Sequence, residues 1–216
     1  MKQTNNLKNT ILAAALALGL AASATAQSVN PTPATTDTGA GLLGTNYAQL
    51  SLNYLDLNDG PPSAARGFTF GYNQRLSSAV DFNASYDWAR AEAYGQHATQ
   101  QKIDFGATAY TPLEWGKPYV QVLGGWVWQK AGSFNEDSFA YTLGTGVEFT
   151  VAPKFTLTPF VNFVRATGFN QSEFDLGVKA AYRLNKEWSL TARAQYDAVR
   201  HSSDAAEYSA GVAYYF

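Results

Sequence analysis

Two histidines, His97 and His201, are the side chains best suited to exchanging a proton near neutral pH, and both have acids close by in sequence. Glu92 precedes His97, while Asp197 and Asp204 bracket His201, which is followed by Ser202 and Ser203. An imidazole beside a carboxylate can act as a general base, and a neighbouring serine as its nucleophile. Adjacent positions in a polar stretch hold a serine poorly for attack, so no catalytic residues are expected and water-exposed histidines are the ordinary reading. Two histidines without any cysteine offer no metal-ligand spacing, and no glycine-rich loop leads from a strand into a helix. No metal and no cofactor are therefore expected.

A second set of ionisable residues has a more regular spacing. Arg75, Lys102, Lys179, Arg183 and Arg193, with Asp81, Asp87, Asp104, Glu148, Asp175 and Asp197, occupy alternate positions in segments whose intervening residues are apolar. Period-two alternation places them on one face of a strand and the apolar residues on the other. Mixed signs favour internal ion pairing over selectivity for one sign of solute. Register adds detail: a three-residue turn at Ser77 to Ala79 sets Arg75 opposite Asp81, predicting a cross-strand salt bridge. The same parity around Asn185 to Glu187 sets Lys179 opposite Arg193, two cations whose repulsion calls for a carboxylate between them. Asp104 or Glu148 reaching across, or Asp197 from above, is expected to supply it.

The elements that must position these charges are strands. From Thr45 onward, period-two segments are separated by turn signals, beginning with Tyr47 to Leu57, which turns Leu50, Leu52 and Tyr54 one way and Gln49, Ser51 and Asn53 the other. Ten such segments are expected, joined alternately by short turns and by longer polar loops at Arg90 to Thr99, Gly132 to Ser138, Ala166 to Ser172 and Ala198 to Glu207, as well as after Leu57. The architecture predicted is all-β: a transmembrane, antiparallel, up-and-down β-barrel over residues 45–216, with eight strands as the alternative if the first two segments lie outside it. An even count puts both termini on one side.

Aromatic residues are sorted by height along these segments. Tyr54, Phe68, Trp88, Trp126, Trp128, Phe163 and Tyr208 fall near one end, and Phe82, Tyr110, Phe149, Tyr182, Trp188, Tyr214 and Phe216 near the other. Leu50, Val122, Leu143 and Val178 lie between. Amphipathic rings at two membrane interfaces produce that order, and a soluble β-sandwich does not require it.

Residues 1–26 begin with Lys2 and Lys8, continue through an apolar stretch from Ile11 to Leu20, and end at Ala24-Thr25-Ala26. That is the pattern of a cleaved secretory signal peptide, too short in its apolar part to span a bilayer. Cleavage would remove two of the 15 bases and none of the 17 acids, moving the net charge from −2 to −4. No basic field remains to attract nucleic acid. Residues 27–44, rich in Pro, Thr and Gly, read as a flexible periplasmic leader. The absence of cysteine removes the disulfide-scaffold class.

The final segment, Ser209-Ala210-Gly211-Val212-Ala213-Tyr214-Tyr215-Phe216, has an aromatic-tipped alternation that resembles the C-terminal signal of bacterial outer-membrane β-barrels. With the strand pattern and the export signal, the chain resembles the small porin-like outer-membrane β-barrel family, which includes OmpX-like proteins and the membrane domain of OmpA. The resemblance implies that Gly211, Tyr214 and Phe216 form an assembly signal read by the barrel assembly machinery, after delivery by periplasmic chaperones. It also implies residence as a monomer among outer-membrane lipid and lipopolysaccharide. A structural role is expected, with slow passive diffusion of small solutes open beside it. An adhesin or receptor acting through Trp126, Trp128 and the outer loops is the alternative, and a loop-based protease or lipid-A-modifying enzyme the more remote one.

Overall fold

The computed structural model describes residues 41–57, 62–93, 96–169, 171–200 and 204–216. The expected signal peptide and residues 27–40 of the expected leader lie outside the described residues. Ten strands follow in order: β1 (Tyr47–Leu57), β2 (Ala64–Arg75), β3 (Val80–Ala93), β4 (Gln96–Tyr110), β5 (Lys117–Ala131), β6 (Phe134–Ala152), β7 (Phe155–Ala166), β8 (Gln171–Arg183), β9 (Trp188–Arg200) and β10 (Ala205–Tyr215). Each pairs antiparallel with its sequence neighbours, and β1 pairs with β10, closing the barrel. Both of the first two segments belong to the wall, so the barrel has ten strands and not eight.

Alternation decides which way each strand faces. Leu52 is 71% exposed and Leu176 64%, whereas Gln49, Asn73, Thr108 and Gln121, one residue out of phase with their apolar neighbours, are buried. A water-soluble protein has the opposite distribution, so the solvent for this outer surface is lipid. The short turns fix the phase. Leu76 donates its amide to the Val80 carbonyl at 2.9 Å, and the Asn185 side-chain oxygen accepts from the amides of Glu187 and Trp188 at 2.8 and 2.9 Å. A local side-chain acceptor of this kind holds a tight turn without help from the sheet.

The seam between β1 and β10 runs from Tyr47↔Tyr215 to Leu57↔Ala205, bringing Gln49, Ser51 and Asn53 beside Ala213, Gly211 and Ser209. Gly211 allows this approach: a Cβ there would meet Ser51 Cα at 2.8 Å and the Leu50 carbonyl oxygen more closely still. The rim holding Tyr47 and Tyr215 is called the terminal rim, and the one holding Leu57 and Ala205 the distal rim.

Aromatic rings ring both rims on the outer face. Phe68 stacks on Trp88 at 5.7 Å, Trp126 meets Phe139 edge-on at 5.3 Å, and Phe163 meets Phe174 at 5.1 Å near the distal rim. Trp188 and Tyr214 lie 5.0 Å apart near the terminal rim, where Tyr72 stacks on Phe216 at 6.1 Å. Tyr110 is a correction: it is 4% exposed and faces inward, because β4 turns its odd-numbered residues to lipid.

The long polar loops are also corrected. The sheet continues through most of the residues assigned to them, with β3 reaching Ala93, β4 starting at Gln96, and a Gly132 turn with φ 61° joining β5 to β6. Strands β4 and β5 have 15 residues and β6 has 19, against the roughly 9–11 that cross a bilayer. The wall therefore projects past the lipid at the distal rim. Polar residues there mark water outside the membrane, not the end of a strand.

Candidate functional site

The inward faces build a lumen in three layers. At the terminal rim the chain before β1 folds into the mouth. The amides of Leu42 and Leu43 donate to one oxygen of Glu148 at 2.8 and 3.0 Å, and Lys117 Nζ donates to the Leu43 carbonyl at 2.6 Å while lying 3.5 Å from the other Glu148 oxygen. Leu42 packs with Tyr47, Ala181, Ala213 and Tyr215, and Leu43 with Tyr110, Tyr119 and Phe160. Arg183 lies 3.6 Å over the Tyr215 ring and reaches the Gly41 carbonyl at 3.4 Å. A Cβ on Gly41 would collide with the Glu148 carboxylate, so glycine lets the backbone come this close. Residues 41–44, expected within the leader, thus sit as a stopper in the mouth.

The middle layer is polar and ionic. Lys102 and Asp104, both fully buried, pair at 2.6 Å, and Asp87 lies opposite Lys102 in register. Asp87 accepts the Thr69 hydroxyl at 2.5 Å, and Thr69 accepts from Asn53 at 2.8 Å. Arg193 forms an ion pair with Glu207. The Gln195 amide donates to Asp197 at 2.7 Å and to Glu207 at 3.4 Å. Asp175 faces Asp197 across β8 and β9 and accepts from Asn162 at 3.3 Å. With Glu173 these two bring carboxylate oxygens within 4.8 Å of one another, a set of hard oxygen donors. Opposite charges offset the desolvation of Lys102 with Asp104 and of Arg193 with Glu207, which burial would otherwise make costly.

Toward the distal rim the interior is mostly small and apolar, with the buried Gln100, Gln129 and Gln171 among these residues. Leu55, Leu57, Ala65, Ala89, Ala91, Ala98, Ala131 and Ala205 pack together, and Val127, Ala140, Val164, Ala166 and Val199 form a neighbouring group capped by Phe169. Small side chains suit a narrow bore, where larger ones from facing strands would clash.

The backbone matches that of an outer-membrane channel from Pseudomonas putida F1 with a TM-score of 0.50 and 11% sequence identity, over 88% of this chain and 100% of that one. The fold is that of an outer-membrane β-barrel. The translocator domain of the autotransporter NalP from Neisseria meningitidis is also similar (TM-score 0.47, 14% identity, 79% of this chain and 88% of that one). So is Neisserial surface protein A (0.44, 16%, 79% and 97%). No protein-family model and no curated protein matches the sequence.

Within this outer-membrane barrel fold the sequence-derived residues divide. Arg75 and Asp81 are register partners on the inner face, and the Arg75 side chain donates to the Ser77 carbonyl. Lys179 and Arg193 also face each other, and Arg193 pairs with Glu207, a carboxylate outside the expected set. Lys179 Nζ lies 4.8 Å over the Phe160 ring. Asp104 serves Lys102, Glu148 holds the stopper, and Arg183 belongs to the mouth. Glu207 and Glu173 are the residues that sequence reasoning missed: Glu207 fell in a stretch assigned to a loop, and Glu173 directly follows one. Parity could have found them: Glu207 continues the inward series Ser209, Gly211, Ala213, and Glu173 continues Asp175, Gly177, Lys179. His97 lies 3.4 Å from Glu92 on the exposed distal rim. His201, Ser202 and Ser203 lie outside the described residues.

Proposed function

We propose that the protein is a non-catalytic, integral outer-membrane barrel with a structural role, whose lumen is occluded in its resting form. The observation that carries this is the latched stopper at the terminal rim, Leu42 and Leu43 held by Glu148 and Lys117 beneath an ion-paired middle and an apolar distal layer. An ion entering from either side would meet apolar packing or displace buried pairs, a large barrier in a medium of low dielectric. Slow passage of small solutes would require residues 41–44 to leave the mouth. In this reading the terminal rim faces the periplasm. Chaperones and the assembly machinery deliver the chain, Gly211, Tyr214 and Phe216 carry the assembly signal, and lipid and lipopolysaccharide surround a monomer.

Planar-bilayer recording tests it. The full-length mature protein is expected to insert without stepwise conductance above the leak of the bare membrane. Reproducible open steps from the unmodified protein would replace occlusion with a channel function. Fractionation of cells tests the location independently, since an inner-membrane or soluble distribution would remove the membrane assignment whatever the conductance.

A further inference from the structure

Cations on the lipid-facing surface are sorted to one rim. Arg66 in β2 and Arg90 in β3 are directly opposed in register, Tyr54 lies beside Arg66, and the row continues through Thr99 of β4 to Lys130 of β5 and Asn135 of β6. Arg66, Arg90 and Lys130 share the parity of the outward residues Phe68, Trp88 and Trp128, and all three are exposed. Among the described residues no carboxylate stands on this row, and the outward Asp137 lies one pleat below Asn135, opposite Trp128. Arg165 of β7 is a further outward cation near the same rim. At the terminal rim the outward strand positions are Gln74, Phe82, Val151, Tyr182, Trp188 and Phe216, with no Lys or Arg among the described residues. Lys154 and Lys186 there lie in the turns beyond the strands, and Lys117 and Arg183 turn inward.

Two guanidinium groups set opposite each other across strands repel, and among the described residues neither Arg66 nor Arg90 forms an ion pair. They flank a groove of about 440 Å³ lined by Ser63, Ala64, Arg66, Trp88, Arg90, Ala91 and Glu92. Immediately below lies the Phe68–Trp88 stack, with Leu52 beside Phe68 in register, and below that Leu50, Phe70 and Tyr86. Asp56 and Glu92 stand one pleat higher, Glu92 engaged with His97. On β1 to β3 the order from the belt upward is apolar and aromatic, then cationic, then acidic.

We infer that Arg66 and Arg90, with Lys130 alongside, clasp the phosphate group of a lipid headgroup in the leaflet that meets the distal rim. An occupant of this groove has acyl-facing surface beneath it, an aromatic interface at its waist and, at its head, two guanidinium forks that form no ion pair among the described residues. A phosphate-bearing lipid supplies all three complements, and the fork geometry of arginine suits phosphate oxygens two at a time. The inference rests on the proposed membrane placement, but it concerns a separate surface from the occluded lumen.

Its test is lipid retention by the purified full barrel in neutral detergent, counted by native mass spectrometry. The probes are bisphosphorylated lipid A and its dephosphorylated form. The unmodified protein is expected to hold the phosphorylated lipid about tenfold more tightly than either R66Q/R90Q holds it or the unmodified protein holds the dephosphorylated lipid. K154Q/K186Q, which removes the same charge at the other rim, is expected to match the unmodified protein. Equal retention by R66Q/R90Q, or indifference to the phosphate, would overturn the inference. Displacement of the lipid by millimolar inorganic phosphate would also overturn it, by making the site one for the free anion. The β-sheet spectrum of R66Q/R90Q reports folding in the same samples. Fractionation judges the membrane placement separately, because micelle binding does not depend on where the cell puts the protein.

Discussion

Arg193→Met should lower the stability of the barrel by about 3–5 kcal/mol, the usual cost of leaving a buried carboxylate without its partner. Arg193 and Glu207 are almost completely inaccessible and form an ion pair between β9 and β10. Removing the guanidinium strands Glu207 among Gln195, Asp197 and the other acids of the middle layer. Urea unfolding followed by the fluorescence of the five tryptophans reads the change. R193M/E207L, which removes both charges, is expected to recover most of the loss, because a buried pair replaced by apolar side chains is often neutral. A single variant as stable as the parent would mean that the pair contributes nothing and that the middle layer is held by wall pairing alone.

The second large effect is expected at the mouth. Glu148→Ala removes the acceptor for the Leu42 and Leu43 amides and the anion beside Lys117. Two hydrogen bonds to a charged group, at roughly 1.5 kcal/mol each, are lost, so hydrogen exchange of those amides should accelerate about 100-fold. Amides in the wall between β5 and β6 should not change. Glu148→Gln keeps an acceptor oxygen and should fall between the two. If Glu148→Ala leaves exchange at Leu42 and Leu43 unaltered, the stopper is seated by leucine packing, and the carboxylate is not its latch.

Most of the wall was legible because one physical rule governs it. A strand between lipid and a narrow bore must alternate, so parity at Leu50, Leu52 and Tyr54 fixed the facing of Gln49, Ser51 and Asn53, and the turn at Ser77 to Ala79 fixed Arg75 opposite Asp81. The closing pair of strands followed from the alternation of the last segment. Hidden features arose where polarity had two causes. Glu207 lies in the polar run 198–207 and Glu173 directly follows the run 166–172, since those ends of β8 and β10 stand near the distal rim, and the runs resembled loops.

The stopper was hidden for a related reason. Glycine, threonine and proline dominate residues 27–44 and suggest a flexible segment, but Leu42 and Leu43 at its end are adjacent apolar side chains with two separate sites in the lumen. Nothing local indicates that they are anchored. The anchor is Glu148, more than 100 residues away in the chain and visible only once β6 is placed in the wall. Arg193 shows the same limit: register identified its like-charged neighbour Lys179, while its partner lay on the strand to the other side.

The central claim is that one face of each strand meets lipid and the other a filled, dry bore. The chain has no cysteine, so single cysteines at Val122 and Leu123, neighbours in β5, test both faces in one strand. Val122 is exposed on the outer face, and Leu123 is 2% exposed inside, between Gly106 and Thr142. In protein reconstituted into vesicles, a lipid-soluble maleimide is expected to label Val122→Cys, while a membrane-impermeant maleimide labels neither site. Rapid labelling of Leu123→Cys by the impermeant reagent would show a water-filled lumen instead, and labelling of Val122→Cys by that reagent would show that the outer face does not meet lipid.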